Sequence, residues 1–241
     1  GLHQRIQSKL YNPTIASWSA VMTLSTLGVN AIHPDISVDG NGGATAAWTE
    51  WNSASGRYLP MIKKYSPPTW TGAVDNNYNN PANWSSNTVP TINNDIIIPP
   101  GATIDLSGDL NVNSMSISDG ASLISDGTIT GLISYTRTIP TTNWYLISSP
   151  VVGQDKDAFV TASNLATGTG NNVGFADYDN SKGVWSYYQS GASGTGDFGL
   201  GEGHAIKLIE PGDVVFTGTF NDADASIAVS NATGYNLIGN P

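Results

Sequence analysis

The chain is built from short stretches in which apolar and polar residues alternate, broken at close intervals by Gly, Asn, Asp and Pro. Alternation of this kind marks half-buried strands. Val214, Phe216, Gly218 and Phe220 fall on one face, and Val215, Thr217 and Thr219 on the other. Ile6, Ser8 and Leu10 alternate before Asn12-Pro13 turns the chain, and Trp18 to Leu24 predicts a second strand. Ile36 to Asp39 enters the turn Asp39-Gly40-Asn41-Gly42-Gly43, and Ala44 to Trp51 runs back from it. Arg57 to Tyr65 predicts a fourth strand. A second hairpin is predicted from Phe175–Tyr178, the turn Asp179-Asn180-Ser181-Lys182-Gly183, and Val184–Gln189. Only 155–166 carries a helical pattern, and it predicts one short helix.

Between residues 95 and 133 the strands become brief: Asp95 to Pro99, Ile104/Leu106, Leu110/Val112, Met115/Ile117, Leu123 and Ile129. Gly108, Asp119-Gly120 and Asp126-Gly127 separate them, a density that fits a small solenoid-like stack or a meander. Ser66-Pro67-Pro68 reads as a linker. The pattern therefore predicts an all-β fold of two or three small antiparallel β-modules with little helix. These are a blade-like sheet over 1–66, a short-strand β-stack over 67–133, and a β-sandwich-like or jelly-roll-like module over 134–241. Trp144-Tyr145-Leu146-Ile147-Ser148-Ser149-Pro150 returns as Tyr235-Asn236-Leu237-Ile238-Gly239-Asn240-Pro241, which predicts two strands in equivalent roles. A lone blade cannot bury both faces, and the second copy ends the sequence, so the first and last modules are expected to be parts of a longer polypeptide.

Composition narrows the function classes. Of 241 residues only 12% are charged, and the net charge is -10. A chain this acidic lacks the Lys and Arg clusters that phosphate backbones need, so no nucleic-acid partner is expected. Cys is absent, which excludes disulfides, thiolate chemistry and Cys-based zinc sites. That absence, in a β-rich chain with few charges, points to an extracellular bacterial surface protein. No run of 18 apolar residues is present, so no helical membrane span is expected.

Several strings resemble modules of large surface-exported proteins of Bacteroidetes-type bacteria, the cargo of type IX secretion. Ser17-Trp18, Leu24-Ser25, Pro34, Ile36, Val38-Asp39, Gly43, Ala44, Ala46 and Trp48 are similar to one propeller blade repeat. Trp70-Thr71-Gly72-Ala73, Asn80-Pro81-Ala82-Asn83-Trp84, Val89-Pro90-Thr91 and Asp95-Ile96-Ile97-Ile98-Pro99 are similar to a second recurrent element. The Leu-Ile-x-x-Pro strands, with Gly201-Glu202-Gly203-His204-Ala205-Ile206 and Phe216-Thr217-Gly218-Thr219, carry the third likeness. The resemblance implies adhesins, stalks or accessory modules beside enzymes, and specifies no activity.

Catalytic material is thin. His3, His33 and His204 form no zinc-binding pair, and no Gly-x-Ser-x-Gly elbow supports a triad. Glu50, Glu202 and Glu210 are the only glutamates. Most Asp residues stand beside Gly or Asn, the place of turn formers that bond their own backbone. Calcium is the one ionic cofactor with candidate ligands: Asp39 and Asn41 in one turn, and Asp177 and Asp179 in the other. Gly199-Leu200-Gly201-Glu202-Gly203 reads as a flexible turn rather than a nucleotide loop. Trp185 and Tyr187 share one strand face, with Tyr188 on the other. Such rings fill an inter-sheet core first, and where exposed they can stack on sugars.

The expectation is a non-catalytic extracellular surface fragment with an adhesive or structural role, whose partners are further copies or neighbouring modules of the same polypeptide. The alternative is a carbohydrate-binding accessory region of a secreted glycan-degrading enzyme, with Trp185 and Tyr187 as ligand-binding residues and a glycan as partner. A hydrolase would need paired acids or a triad, and no pair stands out.

Overall fold

The computed structural model describes residues 3–9, 11–12, 17–18, 21–39, 43–221, 224–231 and 234–239. It is all-β, with one short α-helix among the described residues.

The first stretch forms small antiparallel pairings. Strands β1 (Gln7–Ser8) and β4 (Met22–Thr23) pair, as do β2 (Tyr11–Asn12) and β3 (Ser17–Trp18). Strands β5 (Ala31–Val38), β6 (Ala44–Asn52) and β7 (Arg57–Tyr65) make a three-stranded sheet in that order. The predicted hairpin closes where Asp39 N donates to Gly43 O and Gly43 N donates back to Asp39 Oδ1. Ile6, Ala31 and Trp48 form a small core of their own. Glu50 is buried beside it, and its Oε1 accepts from Trp48 Nε1 and Thr26 N, both at 2.8 Å. Ile36, Val38 and Ile62 stay exposed on this sheet.

The middle stretch stacks as a solenoid with parallel pairing. Its strands are β8 (Asp95–Ile98), β9 (Thr103–Leu106), β10 (Leu110–Ile117), β11 (Ser122–Ser125) and β12 (Ile129–Ile139). Strand β10 pairs in parallel with β8 and β12, and β11 with β9. Each coil lays its apolar residue over the last: Ile96, Met115 and Ile133 form one column, and Ile104 sits beside Leu123. Aspartates staple coil to coil, with Asp126 Oδ1 accepting from Gly108 N at 2.7 Å and Asp109 Oδ1 from Thr128 N at 2.9 Å. Gly131 has φ +146°, and a Cβ there would lie 2.7 Å from Val112 O, so the bulge between β10 and β12 requires glycine.

The open end of the solenoid is covered by the Trp70–Trp84 loop. Trp84 packs edge-on against Trp70 and Tyr78, at 5.1 and 5.0 Å between centroids, and its Nε1 donates to Tyr78 O. Asn83, fully buried, ties this loop: Oδ1 accepts from Val74 N and Asp75 N, while Nδ2 donates to Asp75 Oδ1 and Asn77 O. Trp84 of the Asn-Pro-Ala-Asn-Trp string, with Trp70 and Tyr78, thus seals the solenoid core from water.

At its far end the solenoid runs into a sandwich. The added elements are β13 (Tyr145–Ile147), β14 (Val151–Val152), α1 (Lys156–Ala162), β15 (Asn172–Asp179), β16 (Val184–Gln189), β17 (His204–Ile206) and β18 (Gly212–Phe220). The predicted helix is α1, started by Asp155, whose side chain caps Ala158 N. Strand β12 is the joint: residues from Ile129 to Tyr135 pair in parallel with β10 along one edge, and those from Ile133 to Ile139 pair antiparallel with β18 along the other. One sheet therefore runs β14-β18-β12-β10-β8, and another runs β13-β17-β15-β16. Strand β18 alternates as its sequence predicts, Val214 and Phe216 buried and Val215 exposed. Between the sheets Phe159, Phe175, Phe198 and Phe216 meet with centroids 4.8 to 5.7 Å apart. One hydrophobic core runs from Trp70 through Phe216. The division drawn between 133 and 134 falls inside β12, in a shared sheet and a shared core.

Candidate functional site

Trp185 and Tyr187 lie on the outer face of the β13-β17-β15-β16 sheet. Register fixes this. Leu146, Ala205, Ala176 and Tyr187 stand in one row across the four strands. The neighbouring row, Tyr145, Ile206 and Phe175, has its β15 and β17 members in the core. Successive side chains point to opposite faces, so Ala205 and Ala176 face outward. Trp185 is 39% exposed and Tyr187 45%, whereas Tyr188 is buried. The core expectation for the first two rings is thus corrected. The inner face is already filled by Phe175, Phe198 and Tyr188, and period-two geometry leaves Trp185 and Tyr187 outside. Tyr187 touches Trp144 at 5.9 Å, and Trp185 touches its register partner Tyr178 at 4.9 Å. Although they face outward, Ala176 and Ala205 are buried.

A second cluster lies on the inner face. His204 on β17 is paired across the ladder with Asp177 on β15, and its Nδ1 is 2.6 Å from Asp177 Oδ1. Lys156, at the first turn of α1, places Nζ 3.5 Å from Asp177 Oδ2 and 3.7 Å from Glu202 Oε2. The imidazole stacks on Phe175 and meets Phe198 edge-on. Burial pushes the Asp177 carboxyl up, but the hydrogen bond and electrostatic pull of His204, with Lys156, outweigh it and hold the group below its ordinary value. Burial likewise pushes Lys156 down, yet Asp177, Tyr188 and Glu202 together raise it above the ordinary lysine range. A cleft of about 450 Å³ opens beside the cluster, bordered by Ser226, Ile227 and Leu237.

Chemically, this cluster is a carboxylate–imidazole pair locked by an ammonium. A nucleophile relay needs a hydroxyl or thiol on the far imidazole nitrogen. His204 Nε2 is buried with no hydrogen-bond partner among the described residues. The group ties α1, β15 and β17 together through Lys156, Asp177 and His204. Sequence reasoning did not assemble it. Lys156, Asp177 and His204 come from three elements, and the available signal was strand parity: Asp177 is two residues from Phe175, and His204 two from Ile206.

The two candidate calcium turns stand on different sheets. Asn41 lies outside the described residues. Asp39 closes the β5–β6 hairpin, on a different sheet from Asp177 and Asp179. Asp177 directs its two oxygens to His204 and Lys156. Asp179 closes its own turn, with Oδ1 accepting from Ser181 N, Ser181 Oγ and Lys182 N, and Oδ2 accepting from Lys182 Nζ at 2.7 Å. Among the described residues no group of three or more His, Cys, Asp or Glu is placed to hold a metal. No described helix is long and apolar enough to cross a membrane.

Comparison of the chain with protein families, with curated proteins and with solved structures finds no match.

Proposed function

We propose that the chain is a non-catalytic part of an extracellular bacterial surface protein, with an adhesive or structural role. The supporting observation is the pairing of a continuous core from Trp70 to Phe216 with an uncovered aromatic sheet face. A solenoid sealed at one end and fused to a sandwich at the other is stiff, because its parts share one sheet and cannot hinge between separate cores. Stiffness of that kind suits a stalk or a presenter of a contact surface. The absence of cysteine and the sparse charge fit the extracellular address.

The test uses beads coated with the 241-residue chain, scored for attachment to surfaces bearing polysaccharide, protein or the chain itself. Attachment above that of albumin-coated beads, with no turnover of glycoside, ester or peptide substrates, is the expected result. Turnover that disappears in the His204→Ala variant would replace this reading with an enzyme. Exposure of Trp185 and Tyr187 specifically favours the second reading, a carbohydrate-binding accessory region of a secreted glycan-degrading enzyme.

A further inference from the structure

We infer that the outer face of the β13-β17-β15-β16 sheet is a binding platform for a neutral polysaccharide chain. The inference deepens the second reading above and rests on it. Three observations carry it. The first is ring placement: Trp144, Tyr187, Trp185 and Tyr178 sit on one face as two touching pairs. Between them Ala176 and Ala205 are buried, so the exposed surface of this face is made by the rings. Trp185 and Tyr187 are two residues apart on one strand, so their anchors are separated by about 7 Å, a step that spans one or two sugar rings. Pyranose rings present C–H faces to aromatic π-systems, and within each pair the rings meet at 62° and 54°, so each pair offers one ring face beside a ring edge.

The second observation is charge. Asp179 at the hairpin end is neutralised by Lys182 in a contact of 2.7 Å. At the other end of the hairpin Gln189 and Asn172 are polar, uncharged and hydrogen-bonded to each other. The chain as a whole carries -10, which repels polyanions. A chain of net charge -10 favours a ligand without net charge over a polyanion.

The third is size. Four strands set about 4.8 Å apart make a face roughly 14 Å across, and the two aromatic rows cover about 10 Å along it. That area is far below the roughly 800 Å² that each partner buries in a stable protein complex. It suits a few sugar units instead.

Affinity electrophoresis of the whole chain tests the inference, in native gels containing mixed-linkage β-glucan, xylan, mannan or, as the anionic arm, polygalacturonate. Retardation by at least one neutral polysaccharide is expected. Trp185→Ala and Tyr187→Ala should each weaken it about tenfold, with unchanged far-UV circular dichroism. Trp51→Ala, on the β5-β6-β7 sheet, should leave it unaltered. No retardation in any neutral gel, retardation only by polygalacturonate, or equal retardation of the Trp185 and Tyr187 variants would each overturn the platform. Its failure is separable from that of the carbohydrate-binding reading: retardation by a neutral polysaccharide that survives both Trp185→Ala and Tyr187→Ala sinks the platform and leaves glycan binding elsewhere on the chain standing.

Discussion

Replacing Asn83 with alanine removes four hydrogen bonds from a side chain that has no solvent exposure. Each such bond contributes about 1 kcal/mol net, and a buried group left unpaired costs more. Val74, Asp75 and Asn77 are themselves exposed, so water takes over part of what they lose. The expected destabilisation is therefore about 2–4 kcal/mol, or roughly 5–15 °C in Tm for a unit of this size. Trp70 and Trp84 lie in the same cap, so urea unfolding followed by tryptophan fluorescence and by far-UV circular dichroism reads both the cap and the solenoid. A second variant, Asn83→Asp, keeps the acceptor for Val74 N and Asp75 N. It also sets a second carboxylate oxygen where Nδ2 now donates to Asp75 Oδ1 at 2.6 Å. Repulsion raises the folded pKa of the introduced carboxyl, so its penalty is full at neutral pH and is relieved as pH falls through that raised value. A loss below about 0.5 kcal/mol for Asn83→Ala would refute the assignment of Asn83 as the tie of the cap.

The remaining predictions concern other parts of the fold. Burial pushes the Glu50 carboxyl up, but hydrogen bonds from Trp48 and Thr26 outweigh it and lower its pKa from 4.5. Its contribution is therefore fully present above about pH 4.5 and is lost as pH falls through the lowered value, and Glu50→Gln should flatten that acid limb in pH-dependent unfolding of the β5-β6-β7 sheet. Asp177→Asn removes the carboxylate that buried Lys156 and His204 share, leaving Lys156 with Glu202 alone, and should cost about 1–2 kcal/mol in urea unfolding, less than a fully buried pair because the carboxylate is 38% exposed. Gly131→Ala places a Cβ against the Val112 carbonyl and should cost roughly 2 kcal/mol by the same assay.

Local elements were legible in the chain because their signals are local. The alternation from Val214 to Phe220, the Asp179–Gly183 turn and the short helix within 155–166 each follow from a few neighbouring residues, and each forms as read. Brief strands with Gly and Asp between them suggested a stack. The parallel register was harder to see, since Ile96, Met115 and Ile133 stand nearly twenty residues apart in otherwise dissimilar coils. The union of the second and third stretches was hidden because β12 takes β18 on its second edge part-way along, which no turn residue announces. Trp185 and Tyr187 were placed on one strand face, but which face was inward depended on how many aromatics the inner layer already held. The Lys156–Asp177–His204 tie was invisible for the same reason: it exists only once three elements have packed.

Hydroxyl-radical footprinting of the chain, free and bound to whichever surface retains it, tests the central claim that the outer sheet face makes the contact. The account predicts protection of Trp144, Trp185 and Tyr187 on binding, with Trp51 and Tyr58 unchanged. Protection confined to the cleft beside His204 and Leu237, with those three rings still fully reactive, would contradict it.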